Sequence, residues 1–285
     1  MRMLKILLLL FLVQLMVVNI SGDTGTVRIK AVGDIMMGTL YPREVLPPGN
    51  SKPLESVAEL LDGGDILFGN FESTFSTVEE SGKDVSKKNY YAFNTPFGFG
   101  KYLKDGGFDI LNIANNHSLD FGESGLSETI FNLQINDLSF TGLRDFLHVQ
   151  NIDGVRVGFL GFYWTDYFNN YNDRERVKEI IARGSERVDI LVVTFHGGAE
   201  GAKALHIKDE DEFMGSSNRG NVIEFAHLAV ESGADLVLGH GPHVVRAMEF
   251  YRGKLIAYSL GNFFTYGMFN MESPTEYFSY PRCRP

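Results

Sequence analysis

Five apolar stretches in this chain each run into a short cluster of side chains that could bind a metal ion or move a proton. Asp34 follows Ala31-Val32-Gly33, Asn70 and Glu72 follow Asp65–Gly69, and Asn115, Asn116 and His117 follow Asn112-Ile113-Ala114. His196 follows Val192–Phe195, and His240 and His243 follow Leu236–Gly239. Carboxylate oxygen, amide oxygen and imidazole nitrogen together suit Zn, Mn or Fe. Two such ions about 3.5–4 Å apart can clamp the attacking and leaving oxygens of a phosphoryl displacement, and a bridging carboxylate helps hold them. Each cluster alone has a blander reading. A Gly-Asp after a strand is more often a turn, an Asn pair more often a loop or helix cap, and a single His more often a satisfied polar residue. His240-Gly-Pro-His243 is more specific, because two imidazoles share a tight turn. The ordered set is more specific than its parts.

Clusters so far apart in sequence converge only if the chain presents them on one edge. Val27–Gly33, Asp65–Gly69, Phe108–Ala114, Asp189–Phe195 and Asp235–Leu238 read as strands. Leu54–Leu61, Phe97–Asp105, Glu123–Ile135, Arg174–Ala182 and Asn221–Ser232 read as helices. His148–Leu160, turning at Asp153-Gly154, and Arg246–Ser259, turning at Arg252-Gly253, read as hairpins. Ser76–Lys88 and residues 199–219 read as exposed polar loops. Alternating strands and helices in the first half argue for parallel βαβ units, while the later hairpins make the strand order mixed. The class is α/β, with two packed mixed β-sheets flanked by helices. No linker divides the chain, so one domain is expected. In open α/β sheets a site forms outside the carboxyl ends of the strands, which is where all five clusters fall.

A length of 285 residues suits one large domain, and 44% hydrophobic with 22% charged residues excludes a disordered chain. The net charge of -10 does not attract nucleic acid or anionic membrane by the global field, so a polyanionic substrate would need a local metal charge. Arg2 and Lys5 precede an apolar run from Ile6 to Val18, and small residues follow at Ser21 and Gly22. That layout, over residues 1–22, is a secretory signal peptide or an uncleaved signal-anchor. The run is about 13 residues, shorter than the ~20 of a spanning helix. The expectation is that this segment packs against nothing in the domain, and that the protein is exported to the periplasm or cell surface, cleaved or membrane-anchored. Cys283 is the single cysteine, so no intrachain disulfide forms.

At the level of longer motifs the chain resembles the capsule-synthesis protein CapA family, or poly-γ-glutamate biosynthesis family, of the calcineurin-like metallophosphoesterase superfamily. The resemblance is carried by residues 32–38 (VGDIMMG), 69–74 (GNFEST), 113–122 (IANNHSLDFG), 194–200 (TFHGGAE), 233–245 (GADLVLGHGPHVV) and 258–264 (YSLGNFF). It covers residues 27–270 and implies a four-layer sandwich around two divalent ions. By the same resemblance Asp34 matches the first metal-binding Asp, Asn116 the metal-binding Asn, and His117 the general acid. His196 matches the lone metal-binding His. His240 and His243 match the final His pair, with one extra residue between them. Met36 stands where the superfamily has a ligating His. Asn70 stands in the row of the bridging Asp, with Glu72 as the nearby carboxylate that could bridge instead. Asp120 is placed to orient His117. Asn262 lines the site or serves a turn, two readings equally open.

His148, His206 and His227 read as ordinary polar residues. The aromatic run Phe162, Tyr163, Trp164, Tyr167, Phe168 and Tyr171 reads as a hairpin end packed on the core before it reads as a substrate platform. Two functions follow from the resemblance. One is a metal-dependent hydrolase of a phosphoester-type bond at the cell envelope. The other is a non-hydrolytic component of capsule polymer assembly or export, whose metal centre holds carboxylates of an anionic polymer beside membrane capsule-synthesis components. Residues 271–285 lose the apolar pattern and read as an atypical C-terminus, with truncation and a frame error both open.

Overall fold

Alternating apolar side chains along the strands divide the core into three layers. The computed structural model describes residues 15–21, 25–49, 52–87 and 90–267. In chain order the elements are β1 (Leu15–Ser21), β2 (Thr26–Met36), α1 (Ala58–Leu61), β3 (Ile66–Phe71), α2 (Gly100–Asp105), β4 (Ile110–Asn112), α3 (Gly122–Ile135) and β5 (Ser139–Thr141). They continue with β6 (His148–Ile152), β7 (Val155–Tyr163), β8 (Asn169–Asn170), α4 (Arg174–Ser185), β9 (Ile190–His196), β10 (Phe213–Met214), β11 (Ser217–Asn218) and α5 (Val222–Glu231). The last are β12 (Leu236–His240), β13 (Met248–Tyr251), β14 (Lys254–Ala257) and β15 (Asn262–Thr265).

One sheet runs β1-β2-β3-β4-β5, with β15 also on β2, and is parallel except for β1. The other runs β13-β14-β12-β9-β7-β6, with β8 on β7 and antiparallel pairs at both edges. Successive side chains of a strand face opposite sides. In β3, Ile66 and Phe68 enter the layer between the sheets while Leu67 faces the helices. In β9, Ile190 and Val192 enter that same layer while Leu191 and Val193 face α4 and α5. Both sheets are therefore buried on both faces, which is why their strands read as unbroken apolar runs. Two of the flanking helices begin on a capping side chain: Asp173 accepts from the Arg176 N–H, and Asn221 from the N–H groups of Ile223 and Glu224. The result is the expected α/β class, two packed mixed sheets with helices on either side.

Several local expectations change. The stretch read as a helix over Leu54–Leu61 is a 3-10 turn followed by one turn of α1, and Phe97–Asp105 divides the same way. The expectation that residues 1–22 pack against nothing is corrected for Leu15–Ser21. That segment pairs with β2 along its length and buries Met16, Val18 and Ile20, because alternate apolar residues there meet the open edge of β2. Residues 1–14 and 271–285 lie outside the described residues. Among the described residues no helix is long and apolar enough to cross a membrane.

Candidate metal centre

A bulge in β2 aims Asp34 into the space between the sheets. Ala31 pairs with Phe68 and Asp34 with Asn70, so three steps along β2 answer two along β3. Ala31 faces the inter-sheet layer, Val32 and Ile35 face the helices, and the extra residue returns Asp34 to the inter-sheet side. The register then lines up Asn262, Asp34, Asn70 and Asn112 across the first sheet. Tyr163, His196 and His240 line up across the second. Two polar rows thus face each other at the carboxyl ends of the strands.

The closest group is Asp34, Glu72 and His243, each offering one ligand atom within 4.8 Å of the others. His243 Nδ1 lies 3.0 Å from Asp34 Oδ2 and 3.6 Å from Glu72 Oε2. His240 Nδ1 lies 3.3 Å from Asp34 Oδ1, and His196 Nε2 lies 3.6 Å from Glu72 Oε1. His243 adopts φ +60°, a left-handed conformation costly for a residue with a Cβ; the turn after β12 brings its ring back over Asp34. Asp34, Glu72, His196 and His240 are all buried.

Asn70 is the hub beneath this group. Its Nδ2 donates to Asp34 Oδ1 at 2.8 Å and lies 3.2 Å from His196 Nδ1. Its Oδ1 accepts from Asn112 Nδ2 at 2.8 Å and Asn115 Nδ2 at 3.2 Å. Four partners fix the orientation of the carboxamide. Burial disfavours a charge on His196 and holds its pKa well below the usual histidine range. Burial likewise pushes the Glu72 carboxyl up. Burial also opposes the charges on Asp34 and His243, but their mutual contact and the neighbouring groups prevail. Asp34 is held well below the usual carboxylate range, and His243, facing Glu72, Asp34 and Glu200, is raised to about 10.

His117 approaches from the loop after β4. Its Nδ1 donates to Asp120 Oδ2 at 2.8 Å, leaving Nε2 turned toward Glu72 Oε1 at 3.9 Å. Asp120 is fully buried, accepts from the Phe93 N–H at 2.7 Å and forms an ion pair with Lys83 Nζ at 2.5 Å. Lys83 donates to the Asn116 carbonyl at 2.8 Å as well. Burial lowers the His117 pKa, with Asp120 opposing and Lys83 adding to that effect. Asn116 Oδ1 is buried without a hydrogen-bond partner. Met36 turns its sulfur to the Gly38 N–H at 3.2 Å.

These residues fit divalent ions. Glu72 Oε1, His196 Nε2, His240 Nε2 and Asn116 Oδ1 are buried without hydrogen-bond partners, a cost of roughly 1–3 kcal/mol each that a bound cation would remove. Sequence reasoning missed Lys83 and Arg219, both placed in loops expected to be exposed, and Glu200, whose Oε2 lies 3.9 Å from His243 Nε2. Of the remaining histidines, His227 pairs with Glu249 at 3.1 Å and stacks on Tyr251. His206 is exposed. In the aromatic run Phe162, Tyr163, Phe168 and Tyr171 are buried in the core, and Tyr167 is exposed.

The sequence matches the family described as "Bacterial capsule synthesis protein PGA_cap" over residues 28–266. It is 30% identical over 254 residues to "Capsule biosynthesis protein CapA" of Bacillus anthracis, covering 81% of this chain and 58% of that one. It is 30% identical over 251 residues to "PGA biosynthesis protein CapA" of Bacillus subtilis (strain 168), covering 81% and 61%. The chain therefore spans about three fifths of the length of these relatives. A solved structure similar to it is a putative 5'-nucleotidase from Staphylococcus aureus, with 13% identity and a TM-score of 0.46 over 80% of this chain and 47% of that one.

Proposed function

The chain belongs to the bacterial capsule synthesis PGA_cap family, and from that premise we propose that its cleft is a centre for two divalent ions that hydrolyses a phosphoester-type bond in capsule or poly-γ-glutamate synthesis. The observation that carries this reading is the buried convergence of Asp34, Glu72, His240 and His243, with donor atoms of Glu72 and His240 left without partners. Bound Mn, Zn or Fe would supply Lewis acidity and positive charge at the phosphoryl group under attack. Asp34, Glu72, His240 and His243 would hold the ions, with His196 and Asn116 completing the set. Asn70 keeps the Asp34 carboxylate in place. His117 delivers a proton from Nε2 to the leaving oxygen, Asp120 holds the ring by Nδ1, and Lys83 holds Asp120.

The same reading places the protein outside the cytoplasm, supported by Arg2, Lys5 and the apolar run that follows. Its substrate is a phosphoester or an anionic polymer, handled beside membrane capsule-synthesis components. A non-hydrolytic role in holding polymer carboxylates is favoured by one observation. The neutral Asn70 fills the row where a bridging carboxylate would stand, and its amide is fully engaged.

The test is metal content and turnover of bis(p-nitrophenyl) phosphate by purified protein with added Mn. Bound metal with turnover is the expected result. Bound metal without turnover over a broad phosphoester panel moves the assignment to polymer binding. Protein that takes up no Mn, Zn or Fe sinks both.

A further inference from the structure

Arg219 is a buried guanidinium with one edge unused. The residue is 3% exposed, and its Nη1 reaches Glu200 Oε1 at 2.9 Å. Its Nε and Nη2 are buried without hydrogen-bond partners. Those two atoms form the side edge of the guanidinium, whose paired N–H groups match the two oxygens of a carboxylate or phosphoryl group. The same edge is in use elsewhere in the molecule: Arg156 grips Asp189 through Nε at 3.1 Å and Nη2 at 2.9 Å. Arg246, the other buried arginine nearby, spends both Nη atoms on Glu212, at 2.8 and 2.7 Å, and leaves only Nε.

The position of Arg219 ties it to the centre. Glu200 links it to His243, which lies 3.9 Å from the other Glu200 oxygen and contacts Asp34 and Glu72. The backbone is pinned on both sides: the Arg219 carbonyl accepts from Tyr171 Oη at 2.7 Å and from the Gly198 N–H, two residues beyond His196, at 3.0 Å. A pinned backbone and the Nη1 contacts to Glu200 and Met214 fix the direction of the guanidinium. Burying two charged donors without acceptors is costly, and an arriving oxyanion removes that cost.

We propose that Arg219 is a substrate-binding residue of the cleft, taking an oxyanion, carboxylate or phosphoryl, through its Nε and Nη2 edge. The inference deepens the metal-centre reading by assigning the anchor for that centre's substrate, and Arg219 itself needs no metal to bind an anion. Specificity follows from the fixed fork: two oxygens on one atom are gripped, while a lone hydroxyl or carbonyl is not.

The experiment measures binding of inorganic phosphate and of glutarate to wild type and Arg219→Lys by calorimetry, each in Mn-loaded and EDTA-treated form. Lysine keeps the charge and loses the fork. The expected result is a fall in affinity of about 10-fold or more for whichever anion binds, in both forms, with the Mn content of the variant unchanged. A preference for phosphate identifies a phosphoryl substrate, and a preference for glutarate a polymer carboxylate. Equal affinity in wild type and variant, with Mn tightening both, overturns the Arg219 assignment and leaves the metal reading standing. A loss in the variant with no effect of Mn does the reverse. Should the lysine variant fail to fold, a crystal structure of wild type soaked in the two anions decides. An anion within hydrogen-bond distance of Nε and Nη2 supports the assignment, and that edge empty at saturation overturns it.

Discussion

Gly33 packs so tightly against Gly261 that a Cβ on Gly33 would overlap the Gly261 carbonyl oxygen. That same oxygen accepts from the Asp34 N–H at 2.8 Å. The close approach seats the segment leading into β15 against the bulge of β2 and so sets the direction of Asp34. Gly33→Ala should force the two backbones apart, at a cost of about 1–3 kcal/mol for overpacking, and should swing Asp34 off His240 and His243. The expected outcome is a lower Tm together with loss of bound metal. A variant with wild-type metal content would show that Asp34 does not depend on this contact.

The ligand and acid roles separate by substitution. His240→Ala removes a buried imidazole from a group of few donors, and the variant should lose bound metal. His117→Asn keeps a similar volume beside the centre. Its metal content should survive while phosphodiester turnover falls by about 10²–10⁴-fold. Metal analysis of the two purified variants checks this. If His117→Asn strips the metal, His117 is a ligand and the acid assignment is wrong.

Asp120 acts through His117. Asp120→Asn leaves the shape intact but gives Nδ1 a carboxamide in place of a carboxylate, so the ring loses its charged anchor. Turnover should drop by about 10²-fold or more, with KM and metal content near wild type. Lys83→Met should weaken the same step and also destabilise the fold by about 1–3 kcal/mol, since Asp120 Oδ1 would be left buried with no other partner. Equal kcat in Asp120→Asn and wild type would remove Asp120 from the mechanism.

A pH effect on stability is expected away from the cleft. Burial lowers the pKa of His148, whose Nε2 has no hydrogen-bond partner. The folded state therefore binds the proton less readily than the unfolded chain, whose histidine titrates near ~6.5. The contribution is neutral above that pH, and stability falls as pH drops through it. Urea unfolding at pH 7.5 and 5.5 should show a smaller acid loss for His148→Gln than for wild type. The same loss in both would place the acid sensitivity elsewhere.

The strands around the cleft were legible because each is buried on both faces and writes an apolar run ending in polar residues. Three features were not. The β2 bulge has no marker beyond Gly33, since one extra residue changes pairing and not composition. β5 and β15 are held by neighbouring strands, not by a pattern of their own; Asn262, at the start of β15, reads equally as a turn. Lys83 and Arg219 stand in charged loops, and charge in a loop reads as solvated until a fold brings an acidic or unpaired partner over it. The one sequence signal for either was Gly220 after Arg219: its φ of +76° turns the chain sharply beside the buried guanidinium.

The N-terminal strand and the export reading make one joint prediction. Cleavage after Gly22 would remove β1, including the buried Met16, Val18 and Ile20. Burying each such side chain is worth about 2 kcal/mol, and ordering each of the seven residues of β1 costs about 1 kcal/mol. These nearly cancel, so β1 should be dispensable to the fold. Protein beginning at Asp23 should keep its metal content and lie within about 5 °C in Tm of protein beginning at Leu15. N-terminal sequencing of the exported protein should then start near Asp23, where the edge of β2 is opened by the cut. A large fall in Tm without β1 would make the strand part of the mature domain, and the cleaved-signal reading would fall with it. An intact Met1 on membrane-bound protein, with β1 dispensable, would instead identify an anchor.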